Sequence, residues 1–449
     1  MRFDDKKRYN FIGIGGIGMS ALARILNSRG ADVCGSDRST NTTLVADMRA
    51  EGIEVFDGHK SANVKVTDTL IISDAIKEDN PELLRAQELG IPIKKRADLL
   101  TLLVNEGKGI AISGTHGKTT TSGMVSEIAL AGCLDPTCIL GGELKTIGGN
   151  ARNGGSDIVI AEACEAYNSF IDLEPYIGVV NNIEPDHLDF HKTAENLYNS
   201  FAKFIRQSVI SVINGDDENA KRLVPYANKP ITFGRSAEND FVISVNADYT
   251  FDLTERKSGK RYENLKINLP GMHNIYNAAC ACVVALMLGV DIESIAQGLK
   301  SFPGMGRRFE KLGTYKSADV IDDYAHHPTE IFAALSGARE KYKGKIVAIF
   351  QPHLYSRTRD HLTGFAQSLK GADTLLLAPI YAARELPMEG IDHEAIKREM
   401  GEEGKEVICV KSLEEGEEII ADMDFSEGDL IITIGAGDVN RIGYALVKR

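Results

Sequence analysis

The stretch "GIAISGTHGKTTTSG", residues 109 to 123, constrains the fold more than any other part of the chain. A β-rich apolar run passes into glycines and then into Lys118, Thr119 and a helix-compatible sequence. Strand, glycine turn and helix make one βα step of a parallel sheet wrapped by helices. The usual nucleotide loop reads G-x-x-x-x-G-K-[ST]. Here the position five before Gly117 is Ile112, and the nearest glycine, Gly114, is only three before. Phosphate oxygens need N–H donors, a positive charge and a metal-bound hydroxyl. A shorter loop still offers them: the helix start, Lys118 and Thr119.

The rest of the chain repeats this pattern in three α/β blocks. The first runs from Tyr9 to about Asn105, with strands in "YNFIGIG", "ADVCGSD" and "DTLIISDAI". Its helices lie in "MSALARILNSRG" and "PELLRAQELG", the second opened by Pro and closed by Gly. The second block has strands in "GIAIS", "DIVIAEA" and "YIGVVNNI" and helices from about Thr120 to Ala131 and near 194 to 207. Residues 231 to 269 alternate like antiparallel strands, with a turn near Ser258-Gly259. "FPGMGRRFEKLG" reads as a linker. The third block, from about 314, has strands in "ADVIDDY", "KIVAIFQ", "DTLLLAPI", "EVICV" and "DLIITIG" separated by helical stretches. That order predicts a mainly parallel sheet.

Composition narrows the partners. A formal net charge of −13 argues against nucleic acid, which requires a basic face. Much of the acidity lies in "GEEGKEV" and "SLEEGEEIIADMDFSEGD", read as solvated faces. No run of about 18 uncharged apolar residues is present, so no membrane insertion is expected. The start, "MRFDDKKRYN" before "FIGIGGIGMSALA", carries Asp4 and Asp5 and glycines that suit a loop better than a signal core. The seven cysteines are scattered, and Cys280 and Cys282 sit in an apolar run. A reduced, cytoplasmic protein is expected.

A second glycine loop, Gly13-Ile14-Gly15-Gly16-Ile17-Gly18, fits G-x-G-x-x-G between a strand and a helix. Asp37 stands nineteen residues beyond Gly18, at the end of the next strand. That is the dinucleotide fingerprint, but backbone N–H groups at a helix start hold any diphosphate. A nicotinamide dinucleotide, another nucleotide diphosphate and a structural turn all stay open on this loop alone. Glu162 ends "DIVIAEA" and His187 lies in "NNIEPDHLDFH", each just after a strand. Parallel strands bring their C-terminal ends to one edge, so Thr119, Glu162 and His187 are candidate ligands of one Mg2+. A core or capping role is the alternative for His187. Six of the ten histidines, His116, His187, His273, His326, His327 and His353, fall in short polar motifs at strand ends or glycine turns.

In order along the chain stand "GIGGIGMSALA", "GTHGKTTT", "NNIEPDHLDFH", "GMHNIYNA", "GRRFE", "DDYAHHPTE", "FQPHLYSRT" and "GAGD". Together they resemble the Mur ligases, the ATP-dependent amide-forming enzymes of peptidoglycan assembly. The resemblance runs from about Asn10 to Gly437 and is nearest to the branch that joins L-alanine to UDP-N-acetylmuramate. It implies an α/β protein of three domains: a Rossmann-like UDP-sugar domain over 1–107, a central P-loop ATPase domain over 108–313, and a Rossmann-like amino-acid domain over 314–449. The central domain would combine a parallel sheet with an antiparallel portion.

The resemblance also implies roles. Gly15, Gly16, Ile17 and Gly18 would face the diphosphate of the UDP-sugar, with Asp37, His59 and Ser73 near the uridine. Gly114, Thr115, His116, Gly117, Lys118, Thr119 and Thr120 would form the ATP loop. His273, Asn274, Asn277 and Arg308 would approach ATP. Lys118, Asp323 and His326 would serve the chemistry, and Tyr324, His353 and Arg357 would hold the amino acid. Thr119, Glu162 and His187 would hold Mg2+, with Mn2+ as a substitute. The expected partners are UDP-N-acetylmuramate, L-alanine and ATP, acting on a monomer or weak homodimer. "EACEAYNSF" departs from a more acidic stretch in many relatives but keeps Glu162 and Glu165. Leu354 stands where relatives often carry arginine. Other branches use a carbamylated lysine; the register puts Ala202 there and Lys203 one residue off, so no such role is assigned.

Overall fold

The computed structural model describes residues 7–246, 250–383, 385–401 and 406–449. Asp4, Asp5, most of "GEEGKEV" and residues 247–249 of the alternating segment lie outside the described residues. The chain divides into two compact units, Met1–Ile267 with Tyr276–Pro303, and Asn268–Ile275 with Gly304–Arg449.

The first unit holds two sheets. Strands β1 (Arg8–Ile12), β2 (Asp32–Asp37), β3 (Glu54–Asp57), β4 (Asp68–Ile72) and β5 (Ile93–Lys95) form an all-parallel sheet in the order β3-β2-β1-β4-β5. The helix Pro81–Leu89 follows its sequence signals: Asn80 accepts from the Glu82 N–H, Pro81 opens it, and Gly90 closes it at φ 63°.

The second sheet has ten strands: β6 (Lys108–Ser113), β7 (Thr137–Leu144), β8 (Gly149–Arg152), β9 (Ile158–Glu162), β10 (Ile177–Val180), β11 (Ile210–Asn214), β12 (Pro230–Gly234), β13 (Phe241–Val245), β14 (Thr250–Glu255) and β15 (Arg261–Lys266). Their order is β15-β14-β13-β12-β11-β10-β6-β9-β7-β8. The run from β7 through β9, β6, β10, β11 and β12 to β13 is parallel, while β13–β14–β15 and β7–β8 are antiparallel. Beside β6 therefore lie β9 on one side and β10 on the other.

One buried apolar cluster joins both sheets of this unit, from Phe11, Leu22 and Ile25 to Phe170, Phe201 and Phe204. Phe170 stacks on Phe204 at 5.2 Å and meets Phe201 edge-on. Each such ring contributes about 2–3 kcal/mol by leaving water. The helix Ala194–Gln207, capped by Thr193, supplies two of them. Ala202 faces this core and Lys203 points to solvent near Asp172.

The β7–β8 hairpin also grips the helix Ile17–Ser28. Asn150, fully buried, donates to Ile17 O at 2.7 Å and Ser20 Oγ at 2.9 Å, and accepts from Arg24.

The second unit is built on β16 (Glu310–Tyr315), β17 (Ala318–Asp323), β18 (Ile346–Phe350), β19 (Thr374–Leu377), β20 (Glu406–Cys409) and β21 (Leu430–Ile434), in the order β16-β17-β21-β18-β19-β20. All neighbours are parallel except β16 and β17. Strand β16 begins inside the segment read as a linker, because its polar residues alternate outward while its backbone pairs with β17. Among the described residues no helix is long and apolar enough to cross a membrane.

Candidate active site

The first glycine loop leaves β1 and enters the helix Ile17–Ser28 with Gly16 as its uncapped N-terminal residue and no acidic residue in the first turn. Gly13 adopts φ 78°, which lets the chain reverse. The Gly15 N–H, expected to face a diphosphate, donates instead to Asp37 Oδ2 at 2.9 Å. The carboxylate at the end of β2 thus braces the loop, since its other oxygen accepts from the Ser39 N–H. His59 Nδ1 lies 2.8 Å from Ser36 Oγ and 3.3 Å from the buried Glu82 carboxylate. Asn63 donates to the same carboxylate at 2.6 Å. That network fixes the His59 ring at the C-terminal edge of the sheet, where Ser73 follows β4.

The second loop answers the missing glycine. Strand β6 ends at Ser113 and the helix Lys118–Ala131 begins at Lys118, so the loop is Gly114–Gly117 alone. It is stapled to the chain beyond β10. The Asn182 side chain accepts from the His116 N–H at 2.8 Å and donates to its carbonyl, while the Thr115 N–H donates to Asn182 O. Thr115 Oγ1 and the Glu184 backbone exchange hydrogen bonds. His116 Nε2 lies 3.1 Å from Glu184 Oε2. Gly117 has φ 79°, and a Cβ there would fall 2.4 Å from Asn277 Oδ1. Asn277 in turn accepts from Thr121, which accepts from Asn181. Motif glycine and motif asparagine are therefore one packed unit.

Lys118 folds back on the loop. Its ammonium donates to Gly114 O, Thr115 O and both oxygens of the buried Glu165. Burial pulls the lysine's pKa down, but the Glu165 charge outweighs it and holds the group above the ordinary lysine range. His191, passed over in the sequence, is buried and lies with Nε2 3.1 Å from Glu165 O.

Thr119 follows Lys118 and is buried, as is Thr120. Glu162 ends β9, in register with Ile112 of β6, and accepts from the Gly141 N–H at 2.7 Å. His187 follows β10 on the other side of β6, at φ 53°. Adjacent strands thus deliver all three candidate ligands to one sheet edge. A carboxylate, a hydroxyl and an imidazole fit a hard divalent cation with one nitrogen donor.

The helix Met272–Met287 carries His273, Asn274 and Asn277 in its first turns. His273 is exposed, and the Asn274 amide donates to Pro270 O at 2.7 Å.

In the second unit, Asp323 ends β17 and accepts from the Phe309 and Ala325 N–H groups, each at 2.8 Å. Burial pushes its carboxyl up to about 6, with Arg308 opposing. Arg308 and Arg307 both lie over the Tyr324 ring. Arg307, which the sequence reading did not single out, also binds Asp322 at 3.0 Å. His326 Nδ1 lies 3.0 Å from Tyr324 O and 3.4 Å from Glu330. Burial lowers the His326 pKa, Glu330 raises it and Arg357 lowers it further. The ring stands 6.3 Å from that of His353, which stacks on Tyr381. Arg357 Nη1 lies 3.2 Å from His353 Nδ1, so that nitrogen accepts and the proton resides on Nε2. Tyr324, His326, His353 and Arg357 thus form one cluster, to which the structure adds Tyr381. Leu354 holds φ 72° between His353 and the helix Tyr355–Asp360. His327 caps the helix Pro328–Lys341.

Three family models match in order: "Mur ligase family, catalytic domain" over residues 8–108, "Mur ligase middle domain" over 112–285, and "Mur ligase, glutamate ligase domain" over 307–437. The chain is 42% identical to the UDP-N-acetylmuramate–L-alanine ligase of Acetivibrio thermocellus, covering 98% of this chain and 96% of that protein. It is 43% identical to the same-named protein of Clostridium novyi, covering 98% and 97%. The solved UDP-N-acetylmuramate–alanine ligase of Thermotoga maritima superposes with a TM-score of 0.85 at 31% identity over 98% of both chains. A murein peptide ligase of Psychrobacter arcticus shares the fold, with a TM-score of 0.75 at 21% identity over 98% of both chains.

Proposed function

The chain belongs to the Mur ligase family, and from that premise we propose that it uses ATP to join L-alanine to the lactyl carboxylate of UDP-N-acetylmuramate. A carboxylate is a poor acyl donor, because oxide is a poor leaving group. The carboxylate oxygen attacks the γ-phosphorus of ATP, forming an acyl phosphate and releasing ADP. The alanine amine then attacks the acyl carbon, and phosphate leaves. The amine's proton passes to a base. The product is a precursor of peptidoglycan.

The domains proposed are 1–107 for the UDP-sugar, 108–313 for ATP and 314–449 for the amino acid, with β16 reaching back into the linker. The first loop would hold the diphosphate through Gly16, Ile17 and Gly18, with Gly15 fixed by Asp37 and with His59 and Ser73 near the uridine. Lys118 would neutralise the γ-phosphoryl group within the loop Gly114–Thr120. Thr119, Glu162 and His187 would hold Mg2+, or Mn2+ in its place, which when bound supplies charge neutralisation between nucleotide and carboxylate. His273, Asn274, Asn277 and Arg308 would serve ATP. Asp323 and His326 would serve the transfer, and Tyr324, His353 and Arg357 the amino acid. The working form would be a monomer or weak homodimer.

The observation that carries this reading is full-length likeness to relatives named for this reaction, over a chain whose short loop already presents Lys118. The test offers ATP, UDP-N-acetylmuramate and each candidate amine in turn, reading phosphate release and product mass. Phosphate release should require all three substrates and be supported by alanine. Release with a preformed peptide and not with alanine would overturn the reading in favour of a peptide ligase.

A further inference from the structure

We infer that the loop 435–438, locked by Gln351, positions the amino-acid cluster and so governs the capture of alanine. The inference rests on the assignment of Tyr324, His353 and Arg357 to the amino acid.

The loop is the motif "GAGD". It leaves β21, which lies between β17 and β18. Ile434, the last residue of β21, pairs with Asp323 on one side and Phe350 on the other. The loop therefore starts between the two halves of the cluster: Asp323, Tyr324 and His326 at the end of β17, and His353 and Arg357 after β18. It is tied to both. On the first side the Gly435 N–H donates to Asp323 O at 3.0 Å, and Gly435 O accepts from Arg307 at 2.8 Å.

On the second side the tie is a buried side chain, Gln351. Its Oε1 accepts from the Val439 N–H at 3.1 Å, and its Nε2 donates to Asp438 Oδ1 at 2.9 Å. The Val439 N–H can only donate, which fixes the orientation of the amide. Arg441 also reaches Asp438, at 3.7 Å, from the exposed side. The Gln351 N–H continues the ladder of β18 by donating to Ile434 O. Strand, amide and loop thus hold one another in one place.

What this lock sets is the Tyr381 ring. Gly437 has no positive φ, so its lack of a side chain serves space and not backbone freedom. A Cβ there would collide with Gln351 Oε1 and would lie 2.8 Å from Tyr381 Cγ and 2.9 Å from its Cβ. The Tyr381 backbone is itself held: its N–H donates to Pro352 O at 2.8 Å, and its carbonyl accepts from the Leu354 N–H at 3.0 Å. The ring lies flat on His353, with centroids 5.7 Å apart and planes 14° from parallel. His353 Nδ1 in turn accepts from Arg357. Loop, tyrosine, imidazole and guanidinium form one chain of contacts. A shift of about 1 Å at its start reaches the carboxylate fork at its end, where orientation decides the rate. Gly437, Gln351 and Asp438 are positioning residues.

Steady-state kinetics on the full chain, with alanine, alaninamide, ATP and UDP-N-acetylmuramate each varied, test this. Gly437→Ala should lower kcat/KM for alanine by roughly 10- to 100-fold, the range for a displaced binding group. Alaninamide does not use the carboxylate fork and should lose far less. The KM values for ATP and the UDP-sugar should stay at the parent's. Gln351→Glu sets a second carboxylate against Asp438 and should reproduce this pattern. Adding Asp438→Asn returns a donor to the pair with its polarity reversed, and should restore most of the lost kcat/KM. An unchanged kcat/KM for alanine in Gly437→Ala would overturn the inference. Equal losses for alanine and alaninamide would overturn it too, because they mark a general structural role, as would a double variant no better than Gln351→Glu. Should the parent's preference for alanine over alaninamide survive Arg357→Ala, the amino-acid assignment itself falls, and this inference with it.

Discussion

Lys118 donates to both carboxylate oxygens of Glu165, at 3.0 and 3.2 Å, inside a loop whose carbonyls at Gly114 and Thr115 it also binds. The cation is thus neutralised by its own protein before any phosphate arrives. A phosphate must compete with, or join, a carboxylate that is almost wholly buried.

Lys118→Ala should lower turnover by roughly 10³-fold or more, as for loss of a phosphoryl-stabilising cation. The pairing adds a second effect. Glu165 would be left as an unpaired buried charge, at about 3–5 kcal/mol of stability. Replacing both, Lys118→Ala with Glu165→Gln, should restore most of the stability and none of the turnover. Thermal melts beside single-turnover kinetics check it. A double variant as unstable as the single one would mean that Glu165 is not what strains the fold.

Gly141 offers a way to disturb the candidate metal carboxylate without touching it. Its backbone is ordinary strand, yet a Cβ there would lie 2.4 Å from each Glu162 oxygen. Gly141→Ala should push Glu162 aside and raise the Mg2+ concentration for half-maximal activity by roughly 10- to 100-fold, as when the support of a metal ligand is lost. Saturating Mg2+ should recover most of the rate. An unaltered Mg2+ titration would remove Glu162 from the metal site.

The strands that end in the motifs were legible because each is a short apolar run stopped by glycine or a polar turn. The hairpin β7–β8 was not. Its sequence, "TCILGGELKTIGGNAR", is broken by four glycines, and its stability comes from distant partners in β9 and the helix Ile17–Ser28. Strand β16 was hidden for a related reason: "EKLGTY" is an edge strand, polar on its open side. In the site, motif residues such as Lys118, Asn277 and Arg357 announce themselves by their neighbours in sequence. Asn182 and His191 lie in "NNIEPDHLDFH" and Arg307 in "GRRFE", but their partners are backbone, carboxylate and ring groups brought near by folding, so the motifs did not reveal their roles; Tyr381 lies in no motif at all. Gly15 shows the limit of a motif: its spacing was right, but its N–H is held by Asp37.

Asp323 makes stability depend on pH. Its folded pKa of about 6 lies above the ordinary 3.8. Below the lower value both states hold the proton. Between the two, the unfolded chain releases it and the folded chain keeps it, so folding is progressively disfavoured as pH rises, by about 3 kcal/mol at most. Above about 6 the difference is constant. Asp323→Asn removes this dependence, whatever fixed offset it adds through the Phe309 and Ala325 N–H groups. Urea unfolding at pH 4 and pH 7 should show the Asn variant gaining on the parent as pH rises. An unchanged difference between the two proteins would mean Asp323 titrates as an exposed acid.

Arg357 bears the sharpest claim about the amino acid. Free alanine offers a carboxylate, which a guanidinium fork meets with two parallel hydrogen bonds. The structure holds that guanidinium against His353 Nδ1 at 3.2 Å, and His353 is itself stacked on Tyr381, so the arginine is oriented before substrate arrives. Because His353 Nδ1 accepts, a neutral imidazole is built into the arrangement, and one guanidinium edge is already engaged. Arg357→Ala should leave the substrate carboxylate without its partner, at a cost of about 3–5 kcal/mol. That is roughly 10²- to 10³-fold in kcat/KM for alanine. The KM values for ATP and UDP-N-acetylmuramate should barely move, because their loops belong to other domains. Alaninamide lacks the carboxylate charge, so the substitution should cost it far less than it costs alanine. Arg357→Lys keeps the charge but not the fork, and should fall between. Steady-state kinetics with each substrate varied in turn decide it. Equal losses for all three substrates would mark a folding defect, and an intact kcat/KM for alanine would move the carboxylate site away from Arg357.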